Sequence, residues 1–183
     1  MRILSILFIG LLFFSCDTKP NAEVLKAQVE KVDFDKKLKD LGIELPPVSP
    51  PVANYVNITQ SGKILFLAGK GPRKADGTYI TGKIGADLTQ EQGYEAAKLT
   101  AINQIAVLKD HLGDLNKVKR ILKVTGMVNA VPDFANQPEV INGFSDLMVE
   151  VFGEKGKHAR AAVGMGSLPR NICVEVELIA ETY

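Results

Sequence analysis

The stretch HARAAVGMGSLPRNICVEVELIA, residues 158–180, decides the fold. Its second half has apolar residues at 174, 176 and 178 that alternate with Glu175 and Glu177. Such period-two alternation is typical of a strand that buries one set of side chains and turns the other toward solvent or a cleft. We therefore predict two strands at the end of the chain, over residues 158–165 and 172–181.

Patterns upstream predict the remaining elements. Thr89 and Gln92 fit a capping box that starts a helix, and Gly113 is a suitable stop. Pro138 suits the start of a second helix, which ends at Gly153. Further strands are expected over residues 55–60, 63–68, 78–82 and 121–128, and a short helix over 33–42. This order predicts an α+β fold, with a mixed sheet packed against two main helices.

The N-terminus carries an export pattern. Residues 1–16 have one basic residue, an apolar stretch of about a dozen residues and then Ser15-Cys16, which resembles a bacterial lipoprotein box. We expect Cys16 to be lipidated, which would place the protein in the cell envelope, held to the membrane by lipid alone. An ordinary signal peptide is the alternative. Residues 17–32 are expected to be a tether and 33–183 the folded domain.

The composition of the chain argues against several classes of function. The chain has 183 residues, 46% of them hydrophobic, and a net charge of +1, with no basic stripe of the kind that nucleic-acid binders carry. The two histidines do not pair with other metal ligands, and no phosphate-binding loop or nucleophile elbow is present. We expect neither a metal nor another cofactor, and no nucleic-acid partner.

The C-terminal stretch carries a family resemblance. Ala159-Arg160-Ala161-Ala162-Val163, then Leu168-Pro169, then the strand with two alternating glutamates resemble the signature of the RidA family, also called YjgF/YER057c/UK114. Residues 82–88 and 141–147 are similar to its YjgF/chorismate-mutase-like branch, known as endoribonuclease L-PSP. The resemblance covers residues 44–183.

The resemblance implies a chorismate-mutase-like fold, a homotrimer and active sites between subunits. One protomer would supply the arginine-bearing strand and its neighbour the tyrosine region. The implied reaction is cofactor-free hydrolytic deamination of carboxylate-bearing enamines and imines, such as 2-aminoacrylate and 2-iminoacids, to a 2-keto acid and ammonia. A small-molecule binding module that uses the same cleft is the alternative, and an endoribonuclease is disfavoured by the charge.

The resemblance also implies roles for single residues. Arg160 would grip the substrate carboxylate with two parallel hydrogen bonds, and Glu175 would orient the attacking water. Four more residues are expected to line the site: Tyr55, Gly69, Asn142 and Ala162, where many family deaminases have cysteine. For each residue the alternative is a structural role, such as a surface salt bridge for Arg160 or a solvated strand position for Glu175.

Overall fold

The computed structural model describes residues 31–183. The predicted signal segment with Cys16 and nearly all of the predicted tether lie outside these residues, so lipidation and export stay predictions. Within the described range, no helix is long and apolar enough to cross a membrane. The residues from Val32 to Tyr183 form one compact unit.

Five strands form a single mixed sheet. They are β1 (Ile58–Ser61), β2 (Ile64–Lys70), β3 (Val118–Asn129), β4 (Ala159–Met165) and β5 (Val174–Thr182). The order across the sheet is β1-β2-β5-β3-β4, and only the pairing of β3 with β4 is parallel. The last strand of the chain is therefore central, and β4 lies at an edge.

Within residues 31–183, three α-helices accompany the sheet: α1 (Phe34–Asp40), α2 (Gln90–Leu112) and α3 (Gln137–Phe152). The predicted capping box is confirmed, because the Thr89 hydroxyl accepts from the Gln92 amide and the Gln92 side chain accepts from the Thr89 amide. Gly113 and Gly153 cap the ends of α2 and α3 as predicted. Single 3-10 turns cover Leu115–Lys117, Gly153–Gly156 and Pro169–Asn171.

The core lies between the two long helices and one face of the sheet. The apolar set of β5 faces it, as the alternation predicts, with Val174, Val176 and Ala180 fully buried. The fully buried side chain of Phe144 on α3 belongs to the same cluster. Together these contacts confirm the predicted two-layer arrangement.

The two long helices approach each other closely at Gly143. An added Cβ there would overlap the backbone carbonyl oxygen of Tyr94 on α2. Glycine at this position therefore sets the distance between α2 and α3, and through them the position of α3 over the sheet.

The opposite face of the sheet carries no helix in the described part of the chain. Phe66 on β2 and Val163 on β4 are 42% and 41% exposed on this face. Glu175 and Glu177 project from β5 on this same face, as the other half of the alternation.

One predicted strand is absent, and the start of another is wrong. Residues 78–82 are not a strand, because Tyr79 and Thr81 each make only one isolated bridge, to Arg73 and Ile172. Gly77 and Gly82 adopt positive φ and bend the chain on both sides. Tyr55, the predicted first residue of the first strand, lies ahead of it, because β1 begins only at Ile58.

Candidate functional site

The six predicted site residues fall into two groups on opposite faces of the sheet. Arg160 pairs with Val124 of β3, which in turn pairs with Leu178 of β5, and these two partners are buried against the helices. Glu175 pairs with Met127 and so lies in the row of Val163, on the open face. Two strand spacings, about 10 Å, separate β4 from β5. A single protomer does not bring Arg160 and Glu175 together.

Tyr55, Gly69 and Glu175 share one cleft. Its volume is about 430 Å³, and it lies between the residues ahead of β1, the end of β2 and the start of β5. Tyr55 is 47% exposed at its rim. The three residues are distant in sequence, and the structure assembles them into one concave surface large enough for a small organic acid.

Glu175 is the acidic group of this cleft. It is half-buried, and no hydrogen bond or salt bridge engages its carboxylate among residues 31–183. Burial first, and then the negative charge of Glu177, raise the pKa of Glu175 above its ordinary value. A carboxylate in such a setting is suited to accept a proton from water.

Gly69 makes room for Glu175. A Cβ at this position would overlap the Glu175 Oε1 atom and crowd its Cδ at 3.0 Å. The absence of a side chain thus lets the carboxylate lie over the backbone of β2. This is a closer relation between the two predicted residues than the sequence indicated.

A β-bulge at the end of β2 shapes the backbone around Gly69. The register of β2 against β5 shifts between Leu67 and Lys70. The amide of Gln104 on α2 donates to the carbonyls of Ala68 (3.0 Å) and Val176 (2.8 Å) and bridges the two strands where the ladder is broken. Sequence reasoning missed Gln104, although a glutamine beside Ile105 and Leu108 on the apolar face of a helix is the available signal.

Arg160 lies at the other location, half-buried beside α3. Its Nη1 atom donates to Asn142 Oδ1 (2.9 Å) and to Ser145 Oγ (3.1 Å). No carboxylate pairs with it in the described part of the chain. Asn142 therefore contacts the arginine directly, and Ser145 is a partner that the prediction missed.

Ala162 follows two residues later on the same edge strand. Its side chain packs against the core, on the side of α3. Because β4 has a neighbour on one side only within the protomer, alternate backbone groups along it remain open to another molecule. A backbone contact from this strand to a ligand is compatible with that placement.

Arg170 is a further residue that sequence reasoning missed. It lines the cleft of Glu175, and its φ of 55° and that of Asn171 (56°) place two consecutive non-glycine residues in the left-handed region. Such conformations cost roughly 1–3 kcal/mol each and cluster at functional sites. Asn171 is held there by its hydrogen bond with Asn129 (3.1 Å). A positive side chain thus stands at the mouth of the cleft.

No group of three or more metal-ligating side chains occurs within residues 31–183. The second cysteine, Cys173, is fully buried in the core as predicted, and burial raises the pKa of its thiol to about 11. The ionisable side chains that line the cleft are those of Glu175, Arg170, Tyr55 and Tyr79.

Comparison with known proteins identifies the family of this chain. A family model described as "YjgF/chorismate_mutase-like, putative endoribonuclease" matches residues 35–182. The chain belongs to the YjgF/chorismate-mutase-like family. The resemblance read from residues 158–180 is thereby confirmed.

Individual family members cover most of the domain. Protein TCP17 of Trypanosoma cruzi is 43% identical over 145 residues, which are 79% of this chain and 91% of that protein. A RutC family protein of Pyrococcus abyssi is 32% identical over 71% of this chain and 87% of its own length. The crystal structure of Atu1372 from Agrobacterium tumefaciens has 44% identity and a TM-score of 0.75, with 81% of this chain and 91% of that one covered.

Proposed function

We propose that this YjgF-family protein hydrolyses carboxylate-bearing imines and enamines to 2-keto acids and ammonia. One observation supports the proposal most strongly. Arg160 is half-buried beside α3 with two neutral partners and no acidic partner among the described residues. A guanidinium held in this way by neutral groups is prepared to bind a carboxylate from outside the protomer.

The reaction is the addition of water to a carbon–nitrogen double bond. Arg160 binds the substrate carboxylate, and Glu175 orients a water and takes its proton while the oxygen bonds to the imine carbon. The electron pair of the double bond moves to nitrogen, which accepts the proton back from Glu175. The hydroxyl proton of the resulting carbinolamine then passes to its nitrogen, the carbonyl forms as the carbon–nitrogen bond breaks, and ammonia and the keto acid are released. An enamine first takes up a proton at carbon and loses one from nitrogen to give the imine.

Two protomers are required in this proposal. Because Arg160 and Glu175 lie on opposite faces of the sheet, the arginine edge of one copy must meet the cleft of the next. A closed homotrimer supplies three such junctions by repeating one head-to-tail contact. The open face, which no helix among residues 31–183 covers, is the surface that such an assembly would bury.

The activity is tested by ammonia release. An amino acid oxidase generates 2-iminoacids in solution, and purified protein should accelerate their conversion to keto acid and ammonia above the rate in buffer. Binding of 2-oxobutanoate without any acceleration would instead identify a binding module. RNA cleavage is not part of the proposal, because a net charge of +1 provides little attraction for a phosphate backbone.

Gly69→Ala should abolish most of this activity without unfolding the protein. The new methyl group would displace the Glu175 carboxylate, which is the end of a flexible side chain and can swing away. We expect kcat to fall by roughly 100-fold, on the scale of a lost general base, while the thermal midpoint moves by only a few degrees. Gly166→Ala is the control, because a Cβ there meets nothing within 4 Å. Full activity of Gly69→Ala would remove Glu175 from the mechanism.

The pH profile should report the pair of glutamates on β5. Glu175 must be ionised to act as a base, so kcat/KM falls as the pH drops through its pKa, which burial and the charge of Glu177 hold above the ordinary value. In Glu177→Gln one of these two causes is gone, and the acidic limb should move to lower pH. Glu181→Gln is the matched control on the same face, because Glu181 already pairs with Arg120 at 2.8 Å. A limb that does not move in Glu177→Gln would contradict the assignment.

A further inference from the structure

The hydrogen bonds of Arg160 leave one defined edge of its guanidinium open. Both hydrogens of Nη1 are used, one by Asn142 Oδ1 at 2.9 Å and one by Ser145 Oγ at 3.1 Å. The guanidinium has five N–H donors, so three remain, on Nε and Nη2. No acceptor engages these three within residues 31–183. Two of them, one on each nitrogen, are parallel and match the two oxygens of a carboxylate.

A chain of hydrogen bonds from Ser145 to His158 to Gly156, called here the directed chain, adjoins the Nη1 atom of Arg160. The Nδ1 atom of His158 lies 2.6 Å from the carbonyl oxygen of Gly156, and the Nε2 atom lies 3.0 Å from Ser145 Oγ. A carbonyl oxygen only accepts, so the proton of the ring is on Nδ1. In the neutral ring Nε2 is then an acceptor, and the Ser145 hydroxyl donates to it. The lone pairs of Ser145 Oγ are thereby turned toward Arg160.

The neutral form of His158 is favoured by its surroundings. Burial first, and then the positive charge of Arg160, lower the pKa of this histidine below its ordinary value, while its hydrogen bond to the Gly156 carbonyl acts in the opposite direction. A protonated ring would have a hydrogen on Nε2 as well. Two donors, from His158 and Arg160, would then point at the same hydroxyl oxygen, whose own hydrogen would have lost its acceptor. The directed chain exists only with the neutral ring.

We propose that Ser145 and His158 are positioning residues that fix the orientation of Arg160, so that its Nε–Nη2 edge receives the carboxylate of a 2-oxo or 2-imino acid side-on. This inference deepens the proposed function and rests on it for the identity of the ligand. Neither residue touches the ligand in this arrangement. They act on the substrate only by fixing the plane of the Arg160 guanidinium. They therefore affect how the carboxylate binds and not how Glu175 holds the water.

Ligand binding tests the inference independently of turnover. The full-length protein is titrated with 2-oxobutanoate by calorimetry. In Ser145→Ala and in His158→Ala the Kd should rise about 10-fold, the scale of one hydrogen bond to a charged group. Ser145→Thr retains the hydroxyl and should bind like the wild type. In the imine assay the same variants should raise KM while kcat stays within about twofold, since Glu175 is untouched.

Nitrogen NMR on histidine-labelled protein supplies a measurement that leaves Ser145 and His158 unchanged. The chain has two histidines, and His111→Gln assigns the resonances of the other. We expect His158 to be neutral at pH 7.5 with its hydrogen on Nδ1. A hydrogen on Nε2, or unchanged 2-oxobutanoate affinity in folded Ser145→Ala, would overturn the positioning role. Absence of turnover by wild-type protein that still binds 2-oxobutanoate through Ser145 would overturn the proposed reaction and leave the positioning role standing.

Discussion

Replacing Gly143 by alanine is expected to lower the free energy of unfolding by about 3 kcal/mol, the upper part of the range for overpacking a core. The added Cβ would overlap the carbonyl oxygen of Tyr94 and crowd the amide nitrogen of Lys98 at 3.2 Å. Both are backbone atoms inside α2, so neither can rotate away as a side chain would. The intrinsic gain of alanine over glycine in a helix, about 1 kcal/mol, offsets only part of this cost.

Thermal unfolding followed by circular dichroism measures the effect. A loss of this size lowers the midpoint by about 10 °C in a domain of this length. Gly166→Ala adds the same methyl group in open space and should leave the midpoint nearly unchanged. Equal midpoints for the two variants would show that α2 and α3 can move apart freely, contrary to the close approach described above.

Arg160→Ala is expected to lower kcat/KM for 2-iminoacids by roughly 100-fold, because truncating one partner of a buried, hydrogen-bonded charge pair costs about 2–5 kcal/mol. The loss arises from the substrate carboxylate, which then has no cation to bind. Arg160→Lys retains the charge without the planar fork and should recover only part of the activity. The measurement is steady-state ammonia release, with folding checked by circular dichroism.

The control is an arginine on the neighbouring strand. Arg120 on β3 is paired with Glu181 at 2.8 Å and is mostly exposed, so Arg120→Ala should change neither activity nor substrate affinity. If Arg160→Ala and Arg120→Ala had equal, small effects, Arg160 would be a structural residue and the carboxylate would bind elsewhere.

Most of the architecture can be predicted from the sequence because strand alternation and helix capping depend on residues that are close together in the chain. The alternation around Glu175 and Glu177 correctly separates the buried from the open face of β5, and the capping box at Thr89 correctly starts α2. The prediction of a strand over residues 78–82 is wrong because Tyr79 and Thr81 each make a single backbone bridge and not a continuous ladder. Only the folded chain shows that Gly77 and Gly82 turn the backbone away from a ladder.

The site is harder to predict because it depends on contacts across the sheet order. β3 separates β5 from β4, so Arg160 and Glu175 are near in sequence and apart in space. Gln104 on α2 donates hydrogen bonds to backbone carbonyls on β2 and β5. The spacing of residues within α2 does not reveal these partners. The left-handed conformation of Arg170 likewise has no signature in its residue type, since arginine rarely adopts it.

Mixing two inactive variants tests the central claim most directly. Arg160→Ala and Glu175→Gln subunits are unfolded together, refolded in equal amounts and assayed for imine hydrolysis. If each site takes its arginine from one protomer and its glutamate from the next, every mixed trimer contains one intact site, and activity returns to roughly a quarter of the wild-type value. Mixed assemblies no more active than the separate variants would show that one protomer holds the whole site, and would contradict the account.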